Sequence, residues 1–247
     1  MRGTVAAVVA HPDDESLIAG GTLALAARAG LRTGVVSLTR GEQGPIADPA
    51  LASVEQLGEV RQEELHRAAR ALGLDWSVCL AFPDGELEWI NHEAAAAELA
   101  AALSPWAPDV VLTFGDDGLY WHRDHIAAGE IAALAVQRLD TPADIYAAAW
   151  PNGLMTELTA AAAQRGLPYD LWGLEPAAFG GDRRADVTLD VRAVLPRKLA
   201  ALRAHRTQLA SDHLFTSLPL DLAERFLGAE FWAGPHRERL QELLGGG

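Results

Sequence analysis

Cysteine is almost absent from this sequence of 247 residues, in which Cys79 is the single example. One thiol cannot form a disulfide within the chain. Cys79 lies in an apolar run that is typical of a strand. This position favours a buried structural thiol over a catalytic nucleophile.

Long apolar runs and positive charge are also scarce. No apolar run reaches the length of a membrane span, and the N-terminus lacks a basic leader followed by a hydrophobic stretch and a cleavage site. The chain has only 20 Lys and Arg residues against 34 Asp and Glu residues, which gives a formal net charge of −14. This balance disfavours nucleic acid or an anionic membrane surface as a partner. We therefore expect a cytoplasmic protein with neither partner.

The chain does have a regular alternation of apolar strand-like and helix-like segments. Strands are predicted over residues 5–9, 33–38, 76–80, 109–114 and 144–149, and helices over 17–29, 54–72, 92–103 and 122–139. Such alternation with short connections predicts an α/β fold, a Rossmann-like, doubly wound, mostly parallel sheet with helices on both faces.

The length of the chain favours one domain over residues 1–247. We expect a Rossmann-like core over about 1–150 and a C-terminal extension of helices and loops over about 151–247. Within the extension, the pattern predicts a short helix over 158–165, a strand over 186–189, a helix over 191–208 and one or two helices over 220–244.

Two polar runs follow the first and fourth predicted strands. The first run contains His11, Asp13 and Asp14, and the second contains Tyr120, His122, Asp124 and His125. In a doubly wound sheet of order 3-2-1-4-5 these two strands are neighbours, and the strand order reverses between them. Ligands bind in the crevice that opens at such a point, so the two runs should meet there.

The composition of the two runs indicates a catalytic metal site. Two imidazoles and one carboxylate, with a fourth position left open, are a recurrent zinc set. A second carboxylate beside the metal could act as a base toward the water that zinc activates. The alternative is that Asp14 or Glu15 caps the following helix and that His122 and His125 lie on the surface. The expected convergence of both runs favours the metal site.

The same runs resemble the hallmarks of the LmbE-like (PIG-L) family of zinc-dependent N-acetylglucosaminyl deacetylases, which includes deacetylases of the mycothiol and bacillithiol pathways. The first hallmark, Ala-His-Pro-Asp-Asp-Glu, stands at 10–15, and the second, His-x-Asp-His, stands at 122–125. The similarity continues at 39–42, 60–65, 82–85 and 109–114 and covers at least residues 4–140.

This resemblance implies roles for individual residues in metal binding and proton transfer. His11, Asp14 and His125 would bind Zn²⁺, and Fe²⁺ could occupy the same ligand set. Asp13 would be the general base that activates water and then returns the proton to the leaving amine.

The resemblance also implies supporting and substrate-binding roles. His122 and Tyr120 would stabilise the oxyanion, and Asp124 would hold a histidine in orientation from outside the ligand set. Sugar hydroxyls would be contacted by Glu42, Arg61 and Asp84. The alternatives are a plain loop residue for Glu42, a surface ion pair for Arg61 and a turn residue for Asp84.

Three further residues bear on the site. Trp121 and Arg123 replace a small residue and a proline that are common in the family, and they place an aromatic face and a positive charge at the rim. Trp121 could stack on a sugar ring or pack internally. The resemblance places the helix of His205 near the site, where this histidine has either a supporting role or an ordinary packing role.

The resemblance therefore implies a zinc-dependent hydrolase, an N-deacetylase that cleaves the acetamide of an N-acetylglucosamine-type sugar or glycoside. The expected partner is a small N-acetylated amino sugar, and a homo-oligomer is compatible with the sequence. An amidase for another N-acyl amino-sugar conjugate, of the mycothiol-conjugate or antibiotic type, would use the same site. A non-catalytic metal-binding domain is a further alternative. A nucleotide-binding protein is disfavoured, because the first turn is acidic and contains no Gly-x-Gly-x-x-Gly.

Overall fold

A computed structural model describes residues 3–181 and 184–244, with Arg237 described by its backbone alone. The outermost residues of the predicted 1–247 domain thus lie outside the described part. One sheet contains the strands β1 (Thr4–Val9), β2 (Arg32–Thr39), β3 (Trp76–Phe82), β4 (Val110–Thr113), β5 (Asp144–Ala148), β6 (Val187–Asp190) and β7 (Ala229–Ala233). Their order across the sheet is β3-β2-β1-β4-β5-β7-β6.

The described residues form ten α-helical segments around this sheet. They are α1 (Gly20–Arg28), α2 (Leu57–Leu72), α3 (His92–Leu103), α4 (Gly118–Trp121), α5 (Arg123–Val136), α6 (Leu154–Gln164), α7 (Leu195–Leu202), α8 (Leu214–Ser217), α9 (Leu220–Phe226) and α10 (Arg237–Leu243). Within the described residues, no helix combines the length and the hydropathy needed to cross a bilayer.

The central strand β1 forms because all of its residues after Thr4 are apolar and the whole strand is buried on both faces of the sheet. It pairs in parallel with β2 on one side and with β4 on the other. Helices α1, α2 and α7 pack together, while α3 packs against α5. Because right-handed crossovers on either side of β1 run in opposite directions, these two groups of helices cover opposite faces. The prediction of a doubly wound, mostly parallel α/β sheet is confirmed.

The extension contains the two helices predicted over 220–244, α9 and α10, but also a strand between them, β7, that the pattern did not predict. Strand β7 is antiparallel to both β5 and β6 and lies between them. Its Glu230 is buried because the carboxylate pairs with Lys198 at 2.5 Å and accepts the backbone N–H of Gly21 at 2.7 Å. Since these partners are distant in sequence, the local pattern of β7 gives no sign of a buried strand.

The helix predicted over 191–208 is also shorter than expected. Its regular part, α7, ends at Leu202. The chain then turns inward, and Thr207 donates both its backbone N–H and its hydroxyl to the buried carboxylate of Glu64, at 2.9 and 2.6 Å. The chain leaves the helical path here because a continued helix would leave the buried carboxylate of Glu64 without these two hydrogen bonds. An unpaired buried carboxylate costs free energy of folding.

Candidate active site

The carboxyl ends of β1 and β4 bring the two polar runs together. The imidazole of His11 lies 5.1 Å from that of His122 and 5.3 Å from that of His125, measured between ring centres. One oxygen of Asp14 lies 3.3 Å from Nε2 of His125. Side chains more than a hundred positions apart in sequence therefore share one crevice at the switch point of the sheet.

The first run forms a strained turn that separates its two carboxylates. Asp13 has a φ of 132°, a conformation that is uncommon for any residue other than glycine. The chain then enters a single π-helical turn over Glu15–Ala19, a feature that is frequent at functional sites. As a result, Asp13 faces Arg61 while Asp14 faces the histidines.

The second run is also strained, through the irregular turn α4. Leu119 and Trp121 have positive φ values of 67° and 63°. Asp117 stabilises the turn by accepting the backbone N–H of Leu119 at 3.1 Å. Trp121 is 64% exposed, so its side chain is not packed internally. The turn thus delivers the neighbouring Tyr120 to the crevice and leaves Trp121 at the surface.

Donor atoms of three residues in the crevice lie at distances that suit a tetrahedral metal, with each imidazole next to a different oxygen of Asp14. Nδ1 of His11 lies 3.4 Å from Oδ2 of Asp14, and Nε2 of His125 lies 3.3 Å from Oδ1 of Asp14. Neighbouring ligands on zinc are separated by roughly 3.3–3.5 Å, given bonds of about 2.0–2.1 Å. The ligand atoms of all three residues lie within 4.8 Å of one another. These residues therefore fit a divalent metal.

The surroundings of these histidines direct the correct nitrogen atoms toward the metal position. Nδ1 of His125 lies 3.1 Å from the carbonyl of Gly118, to which it can donate, so Nε2 keeps its lone pair for a metal. Nε2 of His11 lies 3.1 Å from Asp84 and 3.4 Å from Asp124, which leaves Nδ1 as the ligand atom. Carboxylates in this position orient a metal-bound imidazole and raise its basicity.

His11, Asp84 and Asp124 form a second cluster that is close enough to hold a metal. The carboxylates of this cluster already accept hydrogen bonds from backbone N–H groups, however. Asp124 accepts the N–H groups of Gly85 and Leu87 at 2.7 and 3.1 Å. The cluster that contains two imidazoles is thus the better metal site, and Asp124 lies where the sequence predicts an orienting residue.

The residues expected to contact sugar differ in their placement. Arg61 is 3% exposed and donates to the carbonyls of Pro12 and Gly41, each at 2.7 Å, so it is not part of a surface ion pair. Arg61 and Asp84 both line the cavity next to the metal position, which has a volume of about 460 Å³. Glu42 is not part of that lining, and one of its oxygens accepts the backbone N–H of Asp84 at 3.0 Å.

Comparison with known proteins identifies the family of this chain. Residues 6–136 match the PIG-L family, described as GlcNAc-PI de-N-acetylase. A curated relative from Acidothermus cellulolyticus, a 1D-myo-inositol 2-acetamido-2-deoxy-alpha-D-glucopyranoside deacetylase, is 35% identical over 91% of this chain and 86% of its own. The chain belongs to the PIG-L family.

Solved structures related to this PIG-L protein share its fold. A conserved protein of Thermus thermophilus has a TM-score of 0.65 and 26% identity, covering 96% of each chain. The N,N'-diacetylchitobiose deacetylase of Pyrococcus horikoshii has a TM-score of 0.62 and 24% identity, covering 94% of this chain and 82% of its own. The sheet with its extension is therefore seen in experimental structures as well.

The electrostatics of the PIG-L site favour a cation at the metal position. Burial lowers the pKa of His11, but hydrogen bonds with Asp124, Asp14 and Asp84 outweigh it and raise that pKa well above its ordinary value. Burial also acts on Asp14, yet the neighbouring His125 and His11 hold its pKa well below the usual range. The negative charge of these carboxylates thus holds a proton strongly on His11. The same negative charge would attract a metal ion to this position.

Asp13 has the environment of a base rather than of a ligand. Burial raises its pKa to about 6, and this value is the balance of burial and Asp14 against the positive charge of Arg61. Nη2 of Arg61 lies 3.1 Å from Oδ2 of Asp13. A carboxyl group with a pKa near neutrality can both accept and return a proton during turnover.

His122 and Tyr120 are uncharged hydrogen-bond donors beside the metal position. Burial, together with His125 and His11, lowers the pKa of His122 to about 4. Its Nδ1 is buried and has no hydrogen-bond partner among residues 3–181 and 184–244. Burial also raises the pKa of the Tyr120 phenol, so this group stays protonated. Both residues could donate to an oxyanion without first losing a proton.

Sequence reasoning overlooked the support beneath Asp13. His205 is fully buried, and its Nε2 lies 2.7 Å from Oε1 of Glu15. The other oxygen of Glu15 accepts the backbone N–H of Asp13 at 3.0 Å. The resemblance brought the helix of His205 near the site, but only the folded chain shows that this histidine contacts Glu15.

Proposed function

We propose that this chain is a zinc-dependent deacetylase that hydrolyses the acetamide group of an N-acetylglucosamine-type sugar or glycoside. The observation that carries the proposal is the cluster of His11, Asp14 and His125, with a further carboxylate, Asp13, beside it. The names of the relatives support the substrate class, since the curated relative deacetylates an N-acetylglucosamine glycoside. The two imidazoles and one carboxylate support zinc as the metal.

When bound, the metal supplies a Lewis acid that polarises the amide carbonyl and makes water easier to deprotonate. Asp13 takes the proton of the attacking water and later delivers it to the nitrogen of the leaving amine. Arg61 keeps this carboxyl group ionised and fixes its direction. The negative charge that develops on the carbonyl oxygen is stabilised by hydrogen bonds from His122 and Tyr120.

A panel of acetylated sugars tests this proposal. Metal-free protein is reconstituted with Zn²⁺ or Fe²⁺ and given N-acetylglucosamine, its myo-inositol glycoside and N,N'-diacetylchitobiose. We expect primary amine and acetate to appear in equal amounts with at least one of these sugars, and the Zn²⁺ and Fe²⁺ samples show which metal supports turnover. Failure of every compound in protein that binds one metal per chain would refute the proposal.

A further inference from the structure

The cavity next to the metal position has two chemically different parts. The charged part is built from the ends of β1 and β4, together with Arg61 of α2 and Asp84 after β3. An uncharged part, which we call the apolar wall, consists of Trp150, Trp172, Leu174, Phe179, Leu209 and Phe215. All six residues of the apolar wall follow residue 136, where the match to the PIG-L family ends. The metal-binding and proton-transfer residues thus lie within the matched region, whereas the apolar wall lies after it.

The apolar wall begins at the catalytic groups. The ring of Phe179 lies 4.8 Å from that of Tyr120 and 6.3 Å from that of Trp150. Phe179 is only 2% exposed, so the inner part of the wall is fixed by packing. A substrate group that extends from the reacting amide along Phe179 would meet aromatic surface at once.

The apolar wall continues to the protein surface. Trp172 lies 5.9 Å from Phe215 and 4.8 Å from His213, between ring centres. Burial lowers the pKa of His213, so the ring beside Trp172 is neutral. Leu174 is 38% exposed and marks the outer end of the wall. Among the lining residues after 136, Gln208 is polar and uncharged, the other six form the apolar wall, and none is charged.

This surface is matched to a hydrophobic substituent. Hydroxyl groups buried against aromatic and aliphatic side chains lose hydrogen bonds with water, whereas each methylene group gains by leaving water. We propose that the substrate is an N-acyl amino sugar with an apolar substituent, carried at the anomeric carbon or on the acylated nitrogen, that lies on the apolar wall. This inference rests on the proposed function: an apolar aglycone narrows its substrate class, and an apolar acyl group replaces the acetyl group at the same amide.

The test uses two substrate series with the zinc-loaded protein. The first series is the methyl, butyl and hexyl glycosides of N-acetylglucosamine, and the second is N-acetyl, N-butanoyl and N-hexanoyl glucosamine. We expect kcat/KM to rise about fourfold for each methylene that enters the cavity, which is the ratio expected from its transfer free energy. A rise in the first series identifies an apolar aglycone, and a rise in the second identifies an apolar acyl group.

Variants of the apolar wall show whether the wall causes the preference. For whichever series shows the preference, we compare kcat/KM of the longest substrate with that of the shortest, hexyl with methyl glycoside or hexanoyl with acetyl glucosamine. This ratio should fall at least tenfold in Leu174→Ser and in Trp172→Ala. Trp89→Ala is the matched control, because Trp89 is 73% exposed and does not line the cavity. Hydrolysis of the methyl glycoside with no gain from longer chains would overturn this inference and leave the proposed function intact. Absence of hydrolysis in both series would overturn the two together.

An independent observation concerns the strained turn at Asp13. Glu15 and His205 are both fully buried, and Nε2 of His205 lies 2.7 Å from Oε1 of Glu15. The same oxygen accepts the hydroxyl of Ser16 at 2.5 Å, while Oε2 accepts the backbone N–H of Asp13. We infer that Glu15 and His205 are positioning residues, which hold the unusual backbone of Asp13 and so aim its carboxylate.

Two substitutions at one position separate positioning from simple packing. His205→Leu removes the donor to Glu15, whereas His205→Gln can restore it. We expect kcat in His205→Leu to fall at least tenfold with KM and bound metal unchanged, and we expect His205→Gln to recover most of it. If the leucine variant does not fold, Ser16→Ala removes the other donor and should give the same split between kcat and KM. The inference would be overturned if folded, metal-loaded His205→Leu had the kcat of the wild type. Where Ser16→Ala is used in its place, a wild-type kcat in that variant would overturn it in the same way.

Discussion

Replacement of Arg61 by methionine should affect stability and proton transfer together. Arg61 is buried and donates to the Pro12 carbonyl at 2.7 Å, to the Gly41 carbonyl at 2.7 Å and to the carboxylate of Asp13 at 3.1 Å. Hydrogen bonds of charged groups contribute about 1.5–3 kcal/mol each. Because methionine would leave two buried carbonyl groups and a partly buried carboxylate without their donor, we expect the free energy of unfolding to fall by about 3–5 kcal/mol.

The same substitution should move the pH profile in a defined direction. The positive charge of Arg61 lowers the pKa of Asp13, so its removal raises that pKa. A base works only when deprotonated, and a higher pKa means that activity is lost at a higher pH as the solution is acidified. The acid limb of kcat/KM should therefore shift upward in Arg61→Met.

Urea unfolding and pH–rate profiles of the two proteins measure these effects. Arg225→Met is the control, because the Arg225–Glu157 pair is exposed and should contribute less than about 1 kcal/mol. A pure sugar-binding role for Arg61 predicts a different outcome. If Arg61→Met raised KM but left both the unfolding midpoint and the acid limb unchanged, the positioning of Asp13 by Arg61 would be refuted.

Three further predictions follow from the site. In the metal-loaded wild type, the acid limb should lie at or below about pH 6, because burial raises the pKa of Asp13 to about 6 and a metal cation can only lower it; a limb above pH 7 would exclude Asp13 as the base. His125→Ala should bind less than one metal per chain by elemental analysis, and unchanged stoichiometry would exclude it as a ligand. Gly41→Ala should be destabilised by about 1–3 kcal/mol, since φ is +65° and a Cβ would lie 2.3 Å from the Arg61 guanidinium carbon; an unchanged melting temperature would contradict this packing.

The core of the fold could be predicted because its signals are local. The apolar run of β1 reads as a strand on its own, and the alternation of strands and helices leaves few topologies for a parallel sheet. That topology alone places the end of β1 beside the end of β4. The meeting of His11 with His125 was therefore predictable before any coordinate was known.

The features that escaped prediction depend on distant partners. Strand β7 is short and contains a buried charge, Glu230, whose partners Lys198 and Gly21 lie elsewhere in the chain. The inward turn after α7 is likewise set by the hydrogen bonds of Thr207 with Glu64. The backbone of Asp13 is held by Glu15, whose carboxylate is in turn contacted by the distant His205. Sequence rules describe short-range preference, and these elements are decided by long-range pairing.

The assignment of Asp13 as the base is tested most directly by turnover and metal content measured in one sample. Asp13→Asn keeps the size of the side chain and removes the proton acceptor, while the three metal-binding side chains are untouched. We predict one metal per chain and a loss of about 10²–10⁴-fold in kcat for acetate release. Full metal content with near-wild-type turnover would show that another group moves the proton and would contradict the account.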